Sequence, residues 1–419
     1  MANILKHTVD LTVIGGGPAG LGAAISAKKS GVKNVLLLER SEELGGVLPQ
    51  CIHNGFGLHF FKEELTGPAY TYRMLKNAEE AHVDFITKAM AVGISCDNTI
   101  TALSHNKVIE IHSGSTILCM GCRERSFGAL RIPGTRPAGI YTAGTAQRLM
   151  NIEGMMPGKR VVILGSGDIG MIMARRLTLE GAKVLAVVEL MPFIGGLIRN
   201  EIQCLRDFGI PIYVGHTIKE VKGTDRVEKV TIAAVDKDRK YIPGTEVEFE
   251  ADTLLVSAGL IPENELSKMA GVQLNGLTGG PLVDNLWQTN IPGIFAGGNV
   301  VHVHDLADYA SESAAMAASN AAAYANGDRS LDLDIKVTAG KNIRYVVPNS
   351  ITKAQENITF FMRVTWPLNN ATVHIGNIYN KKLIFARPSE QIRVDLPANM
   401  FTQFNHGEIV VSCDGEVAV

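Results

Sequence analysis

The chain has 419 residues, 46% hydrophobic and 20% charged, with a net charge of −2. That length exceeds what one core serves, so two or three domains are expected. Near-neutral charge without a basic block excludes a nucleic-acid footprint, and six cysteines in so long a chain exclude a disulfide scaffold.

In chain order, residues 8–39 read as strand, tight turn, helix and strand. The turn is Val13-Ile14-Gly15-Gly16-Gly17-Pro18-Ala19-Gly20. Gly15 permits the turn, Gly17 lets backbone N–H groups approach a pyrophosphate, and Gly20 lets the helix sit close to the strand. Glu39 follows Gly20 by 19 residues, where a carboxylate accepts hydrogen bonds from a ribose. Arg40 and then Gly45-Gly46 come next, and Gly31 closes the helix. Cys51 to Gly57 is a polar, glycine-broken loop. Ala69 to His82 is expected as a helix, Phe85 to Ser95 as a strand, Thr99 to His112 as a meander and Thr116 to Gly121 as a strand. Cys119 and Cys122 form a C-x-x-C. Cys119 reads as a small apolar residue of that strand, because redox pairs sit at helix starts where the dipole lowers a thiol pKa.

From Arg160 the opening pattern recurs, with Gly165, Gly167, Gly170 and Glu189 each 150 residues after Gly15, Gly17, Gly20 and Glu39. Gly45-Gly46 returns as Gly195-Gly196. Two such turns in register, each with its strand, helix and acidic residue, point to two dinucleotides bound by one chain.

With these motifs the sequence resembles the flavoproteins with two dinucleotide-binding domains, in which FAD occupies the first site and a nicotinamide nucleotide the second. Leu118 to Arg123 resembles the first crossover between domains, Asp252 to Asn264 the second, and Ile291 to Asn299 the strand and turn that hold the flavin's ribityl chain. Asn299 stands where the family usually carries Asp; an amide still hydrogen-bonds a hydroxyl. The resemblance implies an α/β fold with two Rossmann-like domains, glutathione-reductase-like with the nucleotide domain inserted. The implied bounds are 1–121 and 257–328 for FAD, 122–256 for NAD, and 329–419 for a C-terminal all-β sandwich. It assigns to FAD Gly15, Gly17, Pro18, Ala19, Gly20, Glu39, Arg40, Gly45, Gly46, Ala91, Met120, Gly121, Gly298, Asn299, His304 and Asp305. To NAD it assigns Gly165, Gly167, Asp168, Ile169, Gly170, Glu189, Ala258 and Gly259. Glu189 favours NAD(H) over NADP, since a 2′-phosphate would meet a like charge.

After Asn299 come His302 and His304, read either as contacts of the flavin or of another chain, or as hydrogen-bonded within the turn. Asp305 and Asp308 are spaced as an acidic capping box for an alanine-rich helix ending before Gly327. That helix points its N-terminus at the flavin in the resembled family. Its low-polarity run, Ala314 to Ala325, is too short to span a bilayer, and Met1 to Leu11 lacks a signal peptide's apolar core, so a cytoplasmic location is expected. Beyond Leu331, strand-like runs begin at Ile343, Ile358, Ala371, Lys382, Gln391 and Glu408. A docking or oligomerisation role is expected for this end, including a homo-oligomer.

Disulfide reductases of the resembled superfamily carry a C-x-x-x-x-C shortly after the first acidic residue. Here Cys51 is the single cysteine of that neighbourhood, 12 residues after Glu39, so a dithiol relay there is excluded. Cys51 with His53 is the candidate catalytic pair, as in NADH oxidases and peroxidases; packing or flavin contact is the other reading of Cys51. No metal site is expected. The segments Gly46 to His59, Gly121 to Arg125, Ile132 to Gly139 and Gly298 to Asp305 resemble one branch in particular. Its members are FAD/NAD subunits beside a flavin-dependent glycerol-3-phosphate dehydrogenase and a small cysteine-rich protein. More distant likeness is to the alpha subunits of opine, proline and hydrogen-cyanide-forming dehydrogenases. The resemblance implies an electron-transferring subunit whose FAD exchanges hydride with NAD. A stand-alone NADH oxidase or peroxidase using Cys51 and a non-catalytic flavin-bound scaffold are the alternatives.

Overall fold

The computed structural model describes residues 3–105, 107–329, 331, 333–353, 357–401 and 406–418. The chain folds as two compact units. The first runs to Cys122 and resumes over Pro262–Arg387 and Gln391–Ala418; the second is Arg123–Ile261 with Pro388–Glu390.

The first unit opens with β1 (Asn3–Ile14), α1 (Pro18–Lys29) and β2 (Val35–Leu38). All four residues of β2 are apolar and buried, the run expected of a strand covered on both faces. There follow α2 (Gly67–Glu80), β3 (Asp84–Ile86), β4 (Met90–Ile94), β5 (Thr99–Ser104) and β6 (Lys107–Leu118). The sheet order is β3-β2-β1-β6-β5-β4, parallel from β3 to β6 and antiparallel beyond. The strand expected over Phe85 to Ser95 is two strands. Between them Lys88 takes φ +53°, and the N–H groups of Lys88 and Ala89 turn aside to the carbonyls of Ser41 and Glu39 at 2.8 and 2.9 Å.

The second unit carries β7 (Ile140–Thr142), α3 (Ala143–Asn151), β8 (Arg160–Leu164), α4 (Asp168–Leu179), β9 (Lys183–Glu189), β10 (Ile212–Val214), β11 (His216–Lys222), β12 (Lys229–Ala234), β13 (Val247–Glu250) and β14 (Thr253–Val256). Its parallel sheet runs β7-β14-β8-β9-β10, and β11-β12-β13 form an antiparallel sheet.

Back in the first unit, β15 (Ile294–Ala296) adds to β6, and α5 (Ala307–Ala325) packs against α1. Their close approach follows from small residues: a Cβ at Gly22 would lie 2.8 Å from the Ser311 carbonyl oxygen. No helix among the described residues is long and apolar enough to cross a membrane.

The C-terminal strands are β16 (Asp334–Ala339), β17 (Ile343–Val347), β18 (Ser350–Ile351), β19 (Asn357–Val364), β20 (Leu368–Ile375), β21 (Tyr379–Ala386), β22 (Ile392–Pro397) and β23 (His406–Val417). They form two sheets, β18-β16-β23-β20-β21 and β17-β19-β22, around a shared core. β19 shows how this module joins the rest. Strand side chains alternate in direction, so Ile358, Phe360, Met362 and Val364 enter the module's core while Phe361 enters the core under β1 and β6. Tyr345 and Val347 of β17 do the same. The sheet β17-β19-β22 therefore turns an apolar face to the module's core, and on its other face sets Tyr345, Val347 and Phe361 beside the charged Arg363 and Arg393.

At this seam Trp287, 3% exposed, holds φ +64° with its ring 6.1 Å from that of Phe361. Asp284, also buried, accepts hydrogen bonds from the Thr352 hydroxyl at 2.6 Å and from the N–H groups of Leu286 and Gln288 at 2.9 Å.

Candidate functional site

Each glycine turn shows which of its glycines the fold itself requires. Gly15 and Gly165 sit at φ +108° and +102°, where L side chains are strained. A Cβ at Gly20 or Gly170 would strike the carbonyl oxygen of Gly15 or Gly165 at 1.7 or 2.6 Å. The middle glycines differ. Gly17 and Gly167 have ordinary φ values of −75° and −66°, and an added Cβ would meet no protein atom closer than 3.8 and 4.0 Å. Nothing in the protein demands glycine there, whereas a phosphate pressed against the backbone does. No side chain caps α1 or α4, which leaves both N-termini to an anion. The residues present fit a pyrophosphate at each turn.

The acidic residues repeat in the same way. Glu39 accepts from Gly16 N and Ser41 N, both at 2.7 Å; Glu189 accepts from Ser166 N and Met191 N, both at 2.9 Å, the same partners 150 positions on. Glu189 also takes the Ser166 hydroxyl at 2.6 Å, and Ser166 Oγ in turn accepts from Gly195 N at 2.7 Å. Each carboxylate is thus fixed by one or two donors per oxygen, with lone pairs left for ribose hydroxyls.

Around the first turn, Pro18 opens α1, and Ala19 packs under Gly298, whose added Cβ would fall 2.6 Å from Ala19 Cβ. Gly45 and Gly46 take φ +114° and +60°, with Gly45 N donating to Gly16 O at 2.8 Å. Arg40 is paired with Glu263 at 3.9 Å. Ala91 lies on β4 two residues past Ala89, whose N–H is bonded to Glu39. Met120 and Gly121 follow β6, and a Cβ on Gly121 would meet nothing within 4 Å. Around the second, Asp168 at the start of α4 accepts from Leu197 N at 2.9 Å and Asn200 Nδ2 at 2.6 Å, Ile169 is half-buried, and Ala258-Gly259 follow β14 beside Gly165.

The capping box expected at α5 is not formed. Leu306 is the N-cap, and Asp308, fully buried, accepts from the N–H groups of Gly57, His59 and Phe60 at 3.0, 3.1 and 2.7 Å. It thereby pins the loop that carries Cys51 and His53. Asp305 instead pairs with Arg363. Asn299 Oδ1 accepts from His304 N at 3.0 Å, and its amide nitrogen lies 3.8 Å from Cys122 Sγ.

Cys51 donates to Val47 O at 3.4 Å, and burial pushes its thiol up to about 12. His53 bonds Asn54 O at 2.9 Å and stacks 5.0 Å from Phe56. Cys119 is buried and its thiol is likewise pushed up by burial. His302 and His304 are buried with their rings 4.2 Å apart, and Gln391 bridges them. No sequence signal marks Gln391, Arg363 or Asp308 as partners of this region, because their pairings span 58 to 251 residues.

The pyridine nucleotide-disulphide oxidoreductase pattern matches residues 9–325. An opine oxidase subunit of Agrobacterium tumefaciens is 25% identical over 317 residues, covering 71% of this chain and 62% of that protein. Hydrogen cyanide synthase subunit HcnB of Pseudomonas protegens is 28% identical over 302 residues, covering 66% and 62%. The chain thus spans less than two thirds of the length of either relative. In fold, the T. acidophilum thioredoxin reductase superposes with a TM-score of 0.61 at 22% identity over 76% of this chain and 98% of its own. With both glycine turns inside the matched region, this chain belongs to the pyridine nucleotide-disulphide oxidoreductase family, FAD-dependent enzymes that work with NAD(P)H.

Proposed function

We propose that this chain is the NAD-reactive subunit of a dehydrogenase complex, exchanging hydride between NAD(H) and FAD on behalf of a partner. The observation that carries this reading is the pairing of two dinucleotide cradles with a single, protonated thiol near the first. Cys51 has no second cysteine in its loop and a thiol pushed up to about 12, so electrons have no dithiol through which to leave. The first cradle, with Glu39, Gly45-Gly46 and the Gly298-Asn299 turn, takes FAD; the second, with Glu189, takes NAD(H). When bound, FAD supplies the two-electron exchange with the nicotinamide. The chain's own residues hold the two dinucleotides by their phosphates and riboses; no acid or base is needed for hydride transfer. FAD is assigned to residues 1–121 and 257–328, NAD to 122–256, and docking to 329–419.

That two relatives are named as subunits supports a partner for this chain. The partner is a flavin-dependent dehydrogenase of glycerol-3-phosphate or amino-acid type, with a small cysteine-rich protein as carrier. The test is anaerobic rapid mixing with NADH and NADPH. Bleaching of the flavin band by NADH ahead of NADPH, without reduction of an added disulfide, supports the reading. No bleaching by either nucleotide, or disulfide turnover that Cys51→Ser abolishes, overturns it. Co-purification from the native cell identifies the partner.

A further inference from the structure

Hydride transfer makes no use of one group of polar side chains, two of them buried and three half-buried. These are His302, His304, Asp305, Arg363 and Gln391, where β17, β19 and the start of β22 meet the turn before α5. Gln391 stands at the centre of their hydrogen bonds. The Gln391 amide oxygen accepts from His304 Nδ1 at 3.1 Å, and its amide nitrogen donates to His302 Nδ1 at 3.0 Å. The His304 main-chain N–H donates to Asn299 Oδ1 at 3.0 Å. His304 Nε2 lies 3.3 Å from the Ser313 hydroxyl, which accepts the Gly298 N–H at 3.0 Å.

Both rings are kept neutral, since burial holds His302 well below its ordinary value and His304 down to about 3. A neutral imidazole has one donor and one acceptor. Gln391 therefore sets both tautomers: His304 carries its proton on Nδ1 and turns its acceptor Nε2 to the Ser313 hydroxyl, which also lies 3.1 Å from the Ala310 carbonyl, while His302 carries its proton on Nε2. That His302 nitrogen is buried and finds no hydrogen-bond partner among the described residues. Holding such a donor costs on the order of 1–3 kcal/mol, so the fold keeps this arrangement against a penalty. Gly298 sits directly on Ala19 at the first turn of α1. The turn and the pyrophosphate cradle are therefore in direct contact.

We propose that Gln391, from the β module outside the family-matched region, is a positioning residue for the flavin turn, holding Gly298 and Asn299 through His304. This rests on the reading of the first cradle as the FAD site. The Gln391 main-chain N–H donates separately to Asp305 Oδ2 at 2.5 Å, and Arg363 holds Asp305 and, at 3.2 Å, the Val303 carbonyl. A side-chain substitution at Gln391 thus leaves the main anchors of the seam intact.

The experiment compares the full-length wild type with Gln391→Met, which keeps the volume and loses both bonds, and Gln391→Glu, which accepts from both imidazoles. FAD affinity is titrated by flavin fluorescence, and the flavin midpoint potential and the melting temperature are recorded for each. The expected result is FAD binding weakened about tenfold in Gln391→Met, with a shifted midpoint potential, and restored to within about twofold in Gln391→Glu. FAD affinity and potential unchanged in Gln391→Met overturn the proposal, as does an equal loss in both variants, which would mark a packing role alone. A wild type that takes up no FAD overturns the underlying reading instead.

Discussion

Gly17 and Gly167 differ from their neighbours in that only a ligand gives them a reason to be glycine. Replacing Gly17 with Ala is expected to leave the melting temperature of the FAD-free protein within about 1 °C and to weaken FAD at least tenfold, a cost of about 1.4 kcal/mol. Gly167→Ala is expected to retain the flavin and to raise the KM for NADH by a similar factor. Flavin absorbance per protein and steady-state kinetics separate the two; loss of flavin in both would contradict the assignment of the cradles. Cys51→Ser is expected to change flavin reduction by NADH, and oxygen consumption, by less than about twofold, because a thiol held near 12 is not a nucleophile at neutral pH. At this scale the sequence is informative wherever a residue's role depends on local backbone. The spacing of Gly15, Gly17, Gly20 and Glu39, and its repeat, already specifies two phosphate-binding turns. Local spacing misreads Asp308 as a helix cap because its true partners, the N–H groups of Gly57, His59 and Phe60, lie about 250 positions away, and no local pattern encodes them.

Elements are legible when their periodicity is local and complete, as for α1, β2 and β17. The strand expected over Phe85 to Ser95 splits because Ser41 and Glu39 capture two of its N–H groups. β16 alternates apolar and polar residues over only six positions and pairs with β23, 72 residues on, and β18 is two residues long, too short for any period to show. The seam between the β module and α5 is built on buried charge. Arg363 and Asp305 are 12% and 13% exposed, so Arg363→Met leaves a carboxylate without its cation, at a cost of about 3–5 kcal/mol. Thermal unfolding is expected to shift down by roughly 10 °C, and adding Asp305→Asn to recover part of it. Asp284 gives a pH-dependent case. Burial raises its carboxyl from 3.8 to about 6, against the opposing bonds from Thr352, Gln288 and Leu286. The folded state therefore holds the proton more tightly than the unfolded chain. The stability this adds is complete below about pH 4 and is lost as pH rises through about 6. Asp284→Asn is expected to gain on the wild type by roughly 3 °C in melting temperature between about pH 4 and pH 7. A difference independent of pH would show that Asp284 keeps its ordinary acidity.

For the whole molecule, the family pattern ends at residue 325, yet the residues beyond it are no appendage. Tyr345, Val347 and Phe361 belong to the same core as Leu11, Val13 and Ile117. A chain cut after Gly327 is expected to lose flavin and to aggregate, since it would bare Trp287, His302 and the apolar flank of α5; size-exclusion chromatography with flavin absorbance checks this. A monodisperse, yellow truncated protein would show the shared core to be dispensable. The same seam buries one of the two tryptophans of the chain, Trp287, against Phe361, while Trp366 is 42% exposed. The molecule thus carries its own optical gauge. The buried Trp287 is expected to emit toward the blue and the exposed Trp366 toward the red. Loosening of the seam, by acid, by heat or by a docked partner, would therefore be visible as a colour change in the light of a single indole.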